Sequence, residues 1–242
     1  MSETVPLRES ELPDFSGRSV LDIGAWDGYY SFLAERLGAS RVVALDHYVW
    51  GVDIPKRSEY WAECSKNGTL PDHSRDLVDF WNPSLPGRAG FDFAKEVLNS
   101  KVEPVVGDYM TMDLEALGTF DIVLYLGVLY HMKEPLTALE RVRRLTREVS
   151  VVESAAVEIR GHEDTDLVWF SPGNELSSDY GNWYMFSLKA LHGACRAAGF
   201  GEVKTIRGPA ARQPRPLKER IRERLRPLPS VEYYRATVHA HV

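Results

Sequence analysis

Four groups of residues in this 242-residue chain are spaced for chemistry. One is an acid–glycine turn, VLDIGAWDGYY at 20–30, in which Asp22 precedes Gly24 and Gly28. The second is a pair of acids that close apolar runs, Asp46 after RVVAL and Asp108 after EPVVG. The third is His131, in the stretch LGVLYHMKEP that follows the most hydrophobic run of the chain. The fourth is a set of aromatics interleaved with Asp and Asn. Trp50, Tyr60, Trp61 and Trp81 lie in one stretch; Trp169, Asp179, Tyr180, Asn182, Trp183 and Tyr184 lie in or close to another.

A dinucleotide turn keeps a glycine at its centre so that backbone can approach a pyrophosphate. Trp26 holds that place here, which disfavours NAD on steric grounds. A ligand with an adenosine and an amino-acid arm but no pyrophosphate fits better, and S-adenosylmethionine is such a ligand. Gly24 would allow the tight turn and Gly28 the close approach of the next helix, with Ala25 and Trp26 lining the loop. Asp22 can take an ammonium. Asp46, with His47 beside it, can accept both ribose hydroxyls in the bidentate manner of a carboxylate. Asp108 can accept from an adenine amino group while Tyr109 or its neighbours pack on the ring. Each acid alone is an ordinary solvated strand end; three in succession form a pattern.

His131 has the context of a general base, since a histidine titrates near neutral pH and a hydroxyl nucleophile must lose a proton. A contact that shapes its loop is the other role open to it. Glu153 ends a later apolar run and could orient substrate or assist the base. Leu126 and Gly127 would line the cofactor, and Tyr130, Trp50, Trp183 and Asn182 the acceptor. The aromatic and Asp/Asn mixture suits a polyhydroxylated ligand and equally a plain hydrophobic lid. No Cys or His spacing points to a metal.

These residues need a scaffold that brings strand ends together. Continuous apolar runs at 19–24, 41–46, 101–108, 120–127, 149–155, 201–208 and 232–242 read as strands. Helical spacing covers 29–38, 91–100, 134–146 and 187–200. In 134–146 the expected apolar stripe is Leu136, Leu139, Val142 and Leu145. Pro104 points to an edge position or an irregular start for its strand. The alternation predicts an α/β, doubly wound, mostly parallel sheet of seven strands, with ligands beyond the carboxyl ends of the strands. The whole of 1–242 is expected to be one domain, with a core at 18–208. Irregular stretches at 47–90 and 156–182 are expected as insertions over the site.

Composition narrows the class. The chain is 44% hydrophobic with a net charge of −6, and no apolar run approaches a membrane span of about 20 residues. The polar, acidic start carries no signal-peptide pattern, and Cys64 and Cys195 are spaced as ordinary thiols. A cytoplasmic setting is expected, with monomer and homodimer both open. Net acidity argues against nucleic acid as a partner. The exception is 207–226, where eight basic residues and two acids leave a local +6, either a solvated helix or a contact for an anionic partner.

Across roughly 18–208 the chain resembles class I S-adenosylmethionine-dependent methyltransferases. The match is carried by LDIGAWDGYYSF, GFDFAKEVLNSKVEP, GTFDIVLYLGVLYHMKEPLTALERV and NWYMFSLKALHGACRAAGF. GVLYH is the most specific, and the branch is similar to bacterial enzymes that make 5-(carboxymethoxy)uridine in tRNA, with their small-molecule relatives. The resemblance implies S-adenosylmethionine as cofactor and methyl transfer as activity, in-line from a sulfonium. Those tRNA enzymes carry a long N-terminal region that helps bind a carboxylated cofactor; here the core is expected to begin near residue 18. Tyr130 matches the family's tyrosine, while its basic upstream partner has no counterpart. Ordinary S-adenosylmethionine and a hydroxyl on a small molecule, such as a sugar or glycosylated metabolite, are therefore expected. Modification of a tRNA wobble uridine is the alternative.

Overall fold

The computed structural model describes residues 6–114, 116–160, 162–176, 178–210, 218 and 231–242. Most of the basic 207–226 segment lies outside the described residues. Five parallel strands form the heart of the sheet: β1 (Ser19–Ile23), β2 (Arg41–Asp46), β3 (Glu103–Val106), β4 (Phe120–Leu126) and β5 (Thr146–Ile159). They are ordered β3-β2-β1-β4-β5, with β3 at the edge. Pro104 lies in β3, where a missing N–H costs least. β1, β2 and β4 are buried along nearly their whole length, as their unbroken apolar runs require of strands covered on both faces.

Two antiparallel strands finish one side, β8 (Glu202–Arg207) pairing with β9 (Val231–His241) and β9 with β5. Among the described residues the sheet has nine strands, two more than expected. The additions are β6 (Val168–Phe170) and β7 (Tyr184–Phe186), which pair with each other within the second irregular stretch. Each has three residues, too few to establish a period of two. β5 explains their place: it runs on past the end of β4, and β7 pairs with it at Ala156. Since β9 already occupies the other edge of β5 over 149–159, β7 takes the position that β4 vacates.

Helices α1 (Tyr29–Arg36), α2 (Tyr48–Gly51), α3 (Ile54–Asn67), α4 (Ala89–Val97), α5 (Pro135–Leu145) and α6 (Leu188–Ala197) complete the described elements with a few 3₁₀ turns. One core cluster joins β4 and β5 to α5, α6 and β9; a second joins β1 and β2 to α1, α4 and the N-terminal Leu7, Leu12 and Phe15. In α5 the buried stripe is Ala138, Leu139, Val142 and Leu145. Leu136, expected in it, faces solvent in the first turn. The 47–90 stretch is more regular than expected, because α3 occupies its centre. Asp53 caps α3 by accepting from Lys56 N at 3.1 Å, and Pro55 sits in its first turn.

Candidate active site

The glycine turn leaves β1 and lies against the end of β2: Gly24 N and Ala25 N both donate to Leu45 O. Gly24 and Gly28 have φ of +78° and +81°. A Cβ on Gly24 would lie 2.5 Å from Val128 Cγ2, and one on Gly28 2.6 Å from the rings of Phe32 and Phe91. These contacts close the turn onto the loop after β4 and onto α4. The cradle therefore has no room for side chains at either glycine.

Trp26 also has a left-handed backbone, with φ +48°. That conformation costs a bulky residue about 1–2 kcal/mol, and hydrogen bonds hold both sides of the residue in place. Its N–H donates to Asp46 Oδ2 at 3.0 Å, and its C=O accepts from Trp50 Nε1 at 2.7 Å. The indole itself is 62% exposed. Trp26 thus does with strain what a central glycine does freely, and its ring stands clear of the turn.

The acids lie as the spacing predicted. Asp22 and Asp46 are buried at the ends of neighbouring strands, and Asp108 is half-buried after β3. Burial pushes the Asp22 carboxyl up to about 6, with the nearby Asp46 charge adding and the 2.7 Å bond from Ser31 Oγ opposing. Burial likewise raises Asp46, against the donors Trp26 N and, at 3.1 Å, Val49 N. Asp108 accepts from Met110 N and Thr111 Oγ1, a turn that fixes its carboxylate beyond the strand. His47 stacks on Trp81 with centroids 4.7 Å apart. The acids and the side-chain-free cradle fit the amino-acid arm and ribose of S-adenosylmethionine.

Gly127 follows β4, its N–H donating to Glu153 O at 3.1 Å, with Leu126 before it. A short 3₁₀ turn over Leu129–His131 comes next. His131 Nδ1 is 2.8 Å from Gly181 O. A carbonyl only accepts, so Nδ1 carries the proton and Nε2 keeps its lone pair. Burial of the ring lowers the His131 pKa below its ordinary value; the Gly181 bond and Asp179 oppose this, and Arg235 and Arg57 add to it. Trp183, just past the 156–182 stretch, donates its N–H to Tyr130 O at 2.8 Å, so the end of that stretch is tied to this loop at consecutive residues. Trp183 also meets His73 of the 47–90 stretch, centroids 4.8 Å apart, and Trp61 meets Tyr180 at 5.8 Å.

Several expected roles are corrected. Trp50 is wholly buried against Phe91, 5.1 Å between centroids; it props the glycine turn and does not face an acceptor. Tyr109 is a core residue whose hydroxyl bonds to that of Tyr125, so its ring is not free to cover an adenine. Glu153 is gripped through both oxygens by Arg235, which also lies 4.8 Å over the Tyr130 ring. A carboxylate so engaged is a structural anchor beside the site and does not assist a base. Asn182 is buried, its amide N–H donating to Leu176 O at 2.9 Å, while its Oδ1 has no hydrogen-bond partner, and nothing here overturns its expected place near the acceptor. Sequence reasoning missed Arg235, which grips Glu153, and Ser31, which donates to Asp22.

This sheet order, with a cradle on β1 and acids ending β1 and β2 and following β3, defines a class I methyltransferase, whose cofactor is S-adenosylmethionine. A family model described as "Methyltransferase domain" matches residues 4–204, and the chain belongs to that family. Curated relatives include the tRNA U34 carboxymethyltransferases of Idiomarina loihiensis, 25% identical over 81% of this chain, and of Stutzerimonas stutzeri, 28% identical over 80%. The chain spans about half the length of these relatives, 49% and 48%. Among solved structures, the N-terminal domain of EvdMO1 in the presence of SAH and D-fucose aligns with a TM-score of 0.57 at 17% identity, over 95% of this chain and 78% of that one. CrArsM, an arsenic(III) methyltransferase from Chlamydomonas reinhardtii, aligns with a TM-score of 0.53 at 14% identity, over 95% and 65%. At such identities these two establish the fold alone. Among the described residues no helix is long and apolar enough to cross a membrane.

Proposed function

We propose that this chain methylates a hydroxyl group of a small molecule, with S-adenosylmethionine as donor and His131 as the base. The cofactor supplies an electrophilic methyl on a sulfonium; the protein's work is to align the acceptor and remove its proton. Asp22 holds the ammonium, Asp46 the ribose and Asp108 the adenine, within the cradle of Gly24 and Gly28. Holding acceptor and donor in line contributes up to about 7–11 kcal/mol in well-oriented systems.

The single observation that carries this reading is the His131–Gly181 hydrogen bond. It leaves Nε2 free to accept a proton, and it pins the 156–182 stretch down onto the catalytic loop. With 47–90 it roofs the sheet end. A roof of that kind favours a small acceptor over a folded RNA, as does the net charge of −6.

A tRNA substrate is the second reading, favoured by the names of the curated relatives. Arg235, the cation beside Tyr130, already has its charge taken up by Glu153, which supports ordinary S-adenosylmethionine over a carboxylated form. The experiment is incubation of the protein with methyl-labelled S-adenosylmethionine, alongside a library of hydroxylated metabolites and bulk tRNA. The label is expected in an ether of a small molecule. Label in tRNA would reverse the order of the two readings.

A further inference from the structure

Within the 47–90 stretch five side chains form a closed ring of contacts. Tyr48 Oη donates to Asp76 Oδ2 at 2.6 Å and accepts from Arg57 Nη1. Arg57 lies 4.0 Å over the Trp61 ring. Trp61 meets His73, centroids 5.7 Å apart, and His73 Nδ1 lies 3.7 Å from Asp76 Oδ2, which completes the circuit. Arg57, Trp61 and Asp76 are each more than nine-tenths buried.

A structural ion pair here would bring Arg57 and Asp76 into direct contact. Instead the Tyr48 hydroxyl stands between them, and each keeps an unused atom. Arg57 Nε, Trp61 Nε1 and Asp76 Oδ1 are all buried with no hydrogen-bond partner. Buried polar atoms are rarely left so, and three in one ring offer a ligand two donors and one acceptor. A carboxylate or phosphate would satisfy the donors but meet Asp76, and an ammonium would meet Arg57. A hydroxyl both donates and accepts, and neighbouring hydroxyls on a ring can satisfy all three.

The ring adjoins the proposed base. A Cβ on Gly181 would lie 3.5 Å from Trp61 Cη2 and 3.7 Å from His131 Nδ1, so one residue separates the cluster from the catalytic histidine. We infer that Arg57, Trp61 and Asp76 form a diol-binding subsite that grips a sugar-like, polyhydroxylated acceptor while another of its hydroxyls faces His131. This rests on the methyltransferase reading above and gives it a substrate class.

The test uses the full chain with S-adenosylhomocysteine bound and five probes: D-glucose, D-galactose, D-mannose, D-fucose and L-rhamnose. Saturation-transfer NMR reads sugar binding, and calorimetry reads S-adenosylhomocysteine binding. At least one sugar is expected to bind at millimolar concentration. Its affinity should fall at least tenfold in Trp61→Phe and in Asp76→Asn, with S-adenosylhomocysteine affinity within twofold of the parent. Trp61→Phe removes the indole N–H and keeps an aromatic ring beneath Arg57, so it stays informative even if Asp76→Asn does not fold. Sugar binding unchanged in a folded Trp61→Phe would overturn the subsite. No sugar binding by protein that does bind S-adenosylhomocysteine would overturn the substrate class and leave the methyltransferase reading standing. Failure to bind S-adenosylhomocysteine would overturn both.

Discussion

His131 and Gly181, fifty residues apart, are joined by a 2.8 Å hydrogen bond in which the imidazole Nδ1–H donates to the backbone carbonyl. The bond fixes the tautomer of the one histidine in the loop after β4 and fastens the overlying segment to that loop. In the proposed reaction, acid–base function and enclosure of the acceptor are thus coupled through one contact.

The raised Asp22 carboxyl makes two opposite pH effects. Its ordinary value is 3.8 and its folded value about 6, so between these limits the native state holds more protons than the unfolded one. Stability from this group therefore rises as pH falls from 6 to 4, by up to about 3 kcal/mol. With Asp22 as the proposed partner of the ammonium, cofactor binding is expected to run the other way, since that pairing needs the ionised form. Calorimetry of S-adenosylmethionine should show affinity falling below pH 6 by up to tenfold per unit. In Asp22→Asn, binding is expected to be weaker at pH 7.5 and flat across this range.

Gly28 is held by both backbone and packing. An alanine there takes on a left-handed φ and a Cβ 2.6 Å from Phe32 and Phe91. Strain of about 1–2 kcal/mol and overpacking of about 1–3 kcal/mol predict a Tm lower by roughly 5–15 °C for a domain of this size. Scanning calorimetry of Gly28→Ala checks this.

The Glu153–Arg235 pair has side chains only 10% and 11% exposed. Removing one partner strands a buried charge, so Glu153→Gln or Arg235→Gln alone is expected to cost about 3–5 kcal/mol. The double variant should recover most of that loss in denaturant titrations. Additive losses would mean that the two residues act separately.

What could be read in the sequence was local and periodic. The acids at 22, 46 and 108 and the glycine turn follow from apolar runs that end abruptly, and the sheet put their ends together as the alternation required. Helix α3 was hidden because its buried face runs Arg57, Trp61, Cys64, and an arginine in the stripe masks the period. Its end signals, Asp53, Pro55 and Gly68, were present in the sequence but lay within a stretch taken as irregular. Trp50 looked like a lid residue because composition says nothing of direction. Arg235 gave no signal at all, since its partner lies 82 residues away and only the antiparallel pairing of β9 with β5 brings them together.

The most direct test of the central claim is the pH–rate profile of methyl transfer to an acceptor from the labelling screen, for the parent and His131→Ala at saturating S-adenosylmethionine. The acid limb of the parent is expected below the ordinary histidine value of 6.5, because burial disfavours the imidazolium. His131→Ala is expected to lose that limb and about 10²–10⁴-fold in kcat, the range for a general base. A variant that keeps most of kcat and the same acid limb would contradict the account.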